Sequence, residues 1–154
     1  MNTMLRFVSW VVDGQAYALA LEAVDRAVLA VEITPLPGAP EAVEGIINIR
    51  GEIIPVVSIR KRLGISLRSL EISDSLVVAR TRTRRLAVIA ESVLEIVERP
   101  ANAMMGTDEM IHGARYIAGV LKTHDGLMLI QDLDRFFSLR EEQSLELALE
   151  GAEA

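Results

Sequence analysis

The sequence predicts an all-β protein made of two similar β units. Two observations carry this. Short runs dense in Val, Ile and Leu are separated by compact turn signals, and the chain repeats its own plan once. β-branched residues suit a pleated, half-buried surface better than a helix, where they lose rotamer freedom.

The densest such stretch is residues 43 to 64. Ile46, Ile47 and Ile49 precede Arg50-Gly51, and Ile53, Ile54, Val56, Val57 and Ile59 follow it. Gly51 allows the chain to turn back, so this reads as a hairpin with Arg50 at its tip. A charge at such a tip points to solvent or to a partner. Pro55 donates no ladder hydrogen bond, so its strand is expected to be an edge there or to carry a bulge. Arg60-Lys61-Arg62 breaks the apolar pattern, and Gly64 suits the end of a short helical turn.

In chain order, Leu5 to Val12 is the first strand, Asp13-Gly14 a turn, and Tyr17 to Leu21 the returning strand. A short turn at Glu22 to Val24 leads to a strand over Ala27 to Val31. Ile33 to Pro40 holds three prolines and a glycine and reads as a loop. Residues 65 to 73 form a polar connector. Leu76 to Ala79 and Leu86 to Ala90 make a hairpin around Arg80-Thr81-Arg82-Thr83-Arg84-Arg85, read as a solvated tip. Val93 to Val97 is a further strand, Pro100 to Gly113 a long loop, and Tyr116 to Leu121 with Leu127 to Ile130 the last hairpin, turning at His124-Asp125-Gly126. Leu133, Phe136 and Phe137 suit one face of a short helix. Ser138 and Glu141 form a capping box that should start a helix over residues 139 to 149, presenting Leu145 and Leu149 inward.

The repeat is visible in register. Ile117-Ala118-Gly119-Val120 echoes Glu44-Gly45-Ile46, and Leu21-Glu22-Ala23-Val24 echoes Ala90-Glu91-Ser92-Val93. Each half runs hairpin, strand, proline-bearing loop, hairpin, short helix. The expected organisation is a single domain over residues 1–154. Subdomain 1 spans about 1–66 and subdomain 2 about 74–137, with a C-terminal helix and acidic tail over 138–154. Short strands with tight turns favour small closed barrels, which leave few exposed edges.

Composition narrows the function. The net charge is −6, and residues 138–154 carry five glutamates against Arg140, so the rest of the chain is only slightly acidic. With 4% aromatics it lacks the basic groove and stacking platforms of a nucleic-acid-binding barrel. No apolar run approaches the roughly 18 residues of a membrane-spanning helix. No secretory signal is expected, because the first apolar run meets Asp13 early and lacks a small-residue cleavage site. The absence of cysteine excludes disulfides and thiolate metal sites and fits a reducing cytoplasm.

Catalysis is not expected. His112 and His124 lack metal-ligand spacing, and Asp132 and Asp134 sit where acids favour a helix start. No glycine-rich phosphate loop is present. Met104, Met105 and Met110 could line a docking surface, but also suit an ordinary loop. No metal and no cofactor are expected.

The stretch from Val43 to Gly64, read as V-x-G-x-I-N-I-R-G-x-I-I-P-V-V-x-I-R followed by L-G, resembles the signature of the CheW family of chemotaxis adaptors. Tyr17-Ala18-Leu19-x-Leu21-x-x-Val24, Ile33-Thr34-x-Leu36-Pro37 and Tyr116-Ile117-x-Gly119-Val120 extend the resemblance over about residues 5–137. It implies two SH3-like five-stranded β-barrels side by side. It also implies a non-catalytic cytoplasmic scaffold coupling the cytoplasmic hairpin tips of chemoreceptors to the regulatory domain of a CheA-type histidine kinase. By the same resemblance Val24, Gly45 and Ile46 match the kinase-binding positions, and Leu21 and Arg50 the receptor-binding positions. The sequence departs from the family pattern at Arg26, Arg85 and Glu91, where an acidic residue, a glycine and an aspartate are usual. Two alternatives stand beside this one: an adaptor of a pilus or other non-flagellar two-component pathway, and a general peptide-binding β module.

Overall fold

The computed structural model describes residues 3–29, 32–92, 94–105, 116–124 and 126–153. The expected all-β class holds. The described strands are β1 (Met4–Val12), β2 (Gln15–Ala20), β3 (Val24–Leu29), β4 (Val43–Ile49), β5 (Glu52–Val57), β6 (Ser75–Arg80), β7 (Arg85–Ala90), β8 (Glu95–Pro100), β9 (Met104–Met105), β10 (Ile117–Thr123) and β11 (Gly126–Gln131). Among the described residues two α-helices accompany them, α1 (Ile59–Leu63) and α2 (Leu139–Glu153).

The strands form two sheets. One has the order β8-β1-β2-β11-β10-β9 and the other β3-β6-β7-β5-β4. The first five strands of one correspond, place for place, to the five of the other. Each sheet has one parallel junction, β2 with β11 and β7 with β5. Each carries a bulge beside a glycine, at Val43/Gly45 and at Ile117/Gly119. This is the internal repeat made visible.

The repeat does not divide the chain as expected. Residues 1–66 and 74–137 do not each make one sheet. The first half gives its hairpin β1-β2 to the sheet of β8, β10 and β11, while the second half gives β6-β7 to the sheet of β3, β4 and β5. The halves therefore exchange hairpins. Repeat periodicity shows what each half contains, whereas long-range pairings such as Ala18 with Ile130 or Val57 with Val88 decide where it goes.

Each sheet curls as an SH3-like barrel around its own small core. Phe7, Ala18, Leu121, Met128 and Ile130 fill the first. Ile47, Ile54, Val56, Leu76 and Val78 fill the second. A third, larger cluster joins the two sheets, with Trp10 and Tyr17 from one, Val57, Val77 and Val88 from the other, and Phe136 and Leu145 from the C-terminal segment. In β6, Leu76 and Val78 face the barrel interior while Val77 and Ala79 face the joining cluster, as period-two side chains must. Burial on both faces explains why such strands read as continuous apolar runs.

Several local expectations are refined. Pro55 lies in the interior strand β5, but the ladder to β7 covers only Val56 and Val57, so the proline falls at the ladder's end. The region expected as a loop from Pro100 instead ends β8, then forms a single turn at Ala101–Ala103 and the two-residue strand β9 against Val120 and Leu121. Gly119 makes this pairing possible, since a Cβ there would press on the Met104 sulfur. Val31, Val93, Met110, His112 and Asp125 lie outside the described residues.

The arginine-rich tip between β6 and β7 is not simply solvated. Arg84 pairs with Glu146 of α2 at 2.7 Å, and Arg80 pairs with Asp25 at 2.9 Å. The Arg82 backbone N–H donates to Asp134 at 2.7 Å. Helix α2 opens with the expected capping box: the Glu141 N–H donates to Ser138 Oγ at 3.1 Å and the Ser138 N–H to Glu141 Oε1 at 2.8 Å. Leu145 is fully buried, and Leu149 is half-buried against the same cluster.

Candidate functional site

The β4-β5 hairpin is built to hold its tip in one shape. Arg50 and Gly51 both adopt left-handed backbone, with φ of 52° and 88°, which suits a two-residue turn that follows strand twist. The Gly51 N–H donates to Asn48 Oδ1 at 2.8 Å and closes the turn from one side. Arg50 is exposed.

At the other end of β4, Gly45 lies so close to the 33–36 segment that a Cβ would overlap the Thr34 carbonyl oxygen. Thr34 and Ile46 exchange two backbone hydrogen bonds, at 2.9 and 2.8 Å. Ile46 buries its side chain in the joining cluster, and Val24 packs half-buried against that cluster. Among the expected kinase-facing residues, Gly45 and Ile46 therefore shape the surface through backbone. Val24 opens β3 directly after a single 3₁₀ turn at Leu21–Ala23.

Arg50 borders a cavity of about 370 Å³ at the edge of the second barrel, with Asp25, Arg26, Glu52 and Arg85 on its walls and Ile54 and Val78 beneath. Arg85 bridges Asp25 and Glu52, reaching Glu52 at 3.1 Å. The hydrogen bond from Arg85 holds the Asp25 carboxyl below its ordinary pKa, and Arg80 adds to this. Arg85, one of the departures from the family pattern, thus ties together the walls of this cavity. Leu21 lies elsewhere. It borders an apolar groove of about 530 Å³ with Met4, Phe7, Met104 and Ala118. The two expected receptor-facing residues, Leu21 and Arg50, border different cavities.

Sequence reasoning missed a buried ionic network beneath the connector. Arg60 of α1 donates to both oxygens of Glu91 and to Asp13, the latter at 2.7 and 3.1 Å. Arg68 pairs with Glu91 at 3.0 Å and with Asp74 at 2.8 Å. Burial pushes the Glu91 carboxyl up, but the bonds from Arg60 and Arg68 outweigh it and hold the pKa below its ordinary value. Glu91 is another departure from the family pattern, and its role here is to fasten the connector to α1. The signal available was the basic run Arg60-Lys61-Arg62, whose first member is buried rather than solvated. Among the described residues no cluster of His, Cys, Asp and Glu could hold a metal ion, and no helix is long and apolar enough to cross a membrane.

Residues 6–141 match the family model described as CheW-like domain. The sequence is similar to the chemotaxis protein CheW of Thermotoga maritima, 32% identical over 128 residues, covering 83% of this chain and 84% of that protein. It is also similar to the chemotaxis protein CheW of Treponema pallidum, 27% identical over 150 residues, covering 94% and 88%. The fold is similar to the crystal structure of scaffolding protein TtCheW from Thermoanaerobacter tengcongensis, with a TM-score of 0.82 and 27% identity over 90% of this chain and 96% of that chain.

Proposed function

Because the chain belongs to the CheW-like domain family, we propose that it is a non-catalytic adaptor coupling chemoreceptors to a CheA-type histidine kinase. The observation that carries this reading is the extent of the match, which runs from β1 through the capping box of α2 and so takes in both barrels.

The adaptor works by geometry rather than chemistry. Two partners held on one rigid body meet each other at high effective concentration, which favours contact between them. The two barrels share the joining core, which makes such a body. On the receptor side we assign Arg50 and Leu21. Arg50 offers a planar fork of donors on a turn already fixed by the Asn48 bond, so little ordering is lost on binding. On the kinase side we assign Val24, Gly45 and Ile46, where the close approach of Gly45 to Thr34 sets the surface contour. The site of action we infer is the cytoplasm, where receptor tips and kinase would meet.

The test is a three-component pull-down with a receptor cytoplasmic fragment and a kinase regulatory domain from the same genome. The chain should retain both together. A chain that binds neither would overturn the reading.

A further inference from the structure

The cavity beside Arg50 has an unbalanced charge. Its wall residues Asp25 and Glu52 are both engaged by Arg85, and Asp25 also pairs with Arg80 from the neighbouring strand. Those two carboxylates and two guanidiniums neutralise one another. Arg26 and Arg50 border the same cavity, are exposed, and make no hydrogen bond or close salt bridge among the described residues, although the Arg26 charge also acts on Asp25. They are surplus positive charge on a chain whose net charge is −6.

We propose that Arg26 and Arg50 together form an acid-recognising pair that selects receptor segments carrying two carboxylates, one for each arginine. This rests on the coupling role proposed above and adds to it the chemistry of the partner. Arg26 is held on β3, where a bulge between Val24 and Arg26 breaks the register with β6. Bulges re-aim side chains at sheet edges, and β3 is an edge strand. Arg50 is held on the tip of the β4-β5 hairpin, which borders the same cavity. A partner that reaches one arginine meets the other, because they border one cavity. The apolar residues beneath, Ile54 and Val78, lower the local dielectric and strengthen a carboxylate contact made over them. A protein segment that offers two carboxylates, one toward Arg26 and one toward Arg50, complements this surplus charge. The pair steers association as well, and its contribution falls as salt screens it.

The test titrates a receptor cytoplasmic hairpin fragment and, separately, the kinase regulatory domain against wild type, Arg26→Glu and Arg50→Glu. Arg26 is exposed, so unchanged melting temperature is the folding control. Arg26→Glu should weaken receptor binding roughly five- to ten-fold, reduce its salt dependence, and leave kinase binding within about two-fold. Reversing the facing acidic residue of the receptor fragment to lysine should restore binding to Arg26→Glu. If wild type binds the receptor fragment and Arg26→Glu binds it as tightly, or loses both partners equally, the acid-recognising pair is overturned while the coupling role stands. If wild type does not bind the receptor fragment, the coupling role fails and this inference fails with it.

Discussion

Arg60 and Glu91, 31 positions apart in sequence, are both more than nine-tenths buried and face each other through two hydrogen bonds. Asp13 closes on Arg60 from the solvent side, and Arg68 closes on Glu91 from the connector. One ionic chain thus links the β1-β2 turn, α1, the end of β7 and residues 65–74.

The members of this chain should differ in weight. Glu91→Ala leaves Arg60 and Arg68 facing each other without their shared acceptor, and removing one partner of a buried pair costs about 3–5 kcal/mol. Asp13→Asn removes only a half-exposed carboxylate from a position with φ of 48°, which asparagine tolerates, so its loss should be far smaller than that of Glu91→Ala. Urea unfolding of the two variants checks this, and equal losses would show that the network has no buried centre.

The network also sets an acid limit. The Glu91 and Asp13 carboxyls are held below their ordinary pKa values in the folded state. Their contribution is therefore fully present above the unfolded pKa and is lost as pH falls through the lower folded value. For Glu91 that window begins at its ordinary value of 4.5 and extends downward. Urea midpoints should stay level near neutrality and fall below this point. In Glu91→Ala the fall should be shallower, which a midpoint series across acidic pH measures directly.

Much of the fold is legible in sequence wherever the cause is local. Asp13-Gly14 and Arg50-Gly51 mark hairpin turns because their backbone must enter the left-handed region. Ser138 and Glu141 mark a helix start because each satisfies the other's free N–H. The echo of Gly45 by Gly119 reports two equivalent close approaches, to Thr34 and to Met104. What is not legible depends on distant partners. Nothing local says that β1-β2 joins β11 rather than β5, since both present similar apolar edges. Arg60 reads as a surface cation until Glu91 is brought to it, and Arg84 reads as solvated until α2 supplies Glu146. Arg50 was legible as an exposed tip, but its companions Arg26 and Arg85 reach the same cavity only through the β3-β6-β7-β5-β4 order.

The two equivalent glycines should respond unequally. A Cβ at Gly45 meets the Thr34 backbone and the Ile33 side chain, which are tied to β4 by two hydrogen bonds. At Gly119 the first obstacle is the end of the flexible Met104 side chain, with the Met105 carbonyl oxygen at 3.2 Å. Gly45→Ala should therefore lose about 2 kcal/mol or more, as strained core insertions do, and Gly119→Ala less. Thermal unfolding of both variants decides it, and a larger loss at Gly119 would refute the reading.

Helix α2 is part of the core rather than a tail. Leu145 is fully buried, so Leu145→Ala should cost about 2–5 kcal/mol. Removing residues 151–154 should leave the melting temperature unchanged, whereas truncation from Leu139 should lower it. Identical melting temperatures for the two truncations would contradict the packing of α2.

The central claim is that this chain joins a receptor to a kinase through separate surfaces, with Arg50 on the receptor side. The most direct measurement is calorimetric titration of wild type and Arg50→Ala against a receptor cytoplasmic fragment and against a kinase regulatory domain. Arg50 is exposed on a turn, so its removal should change stability by less than about 0.5 kcal/mol. The account predicts a loss of roughly 1–3 kcal/mol in receptor affinity, the range for a desolvated arginine contact, with kinase affinity unchanged. Unchanged affinity for both partners, or equal loss toward both, would contradict it.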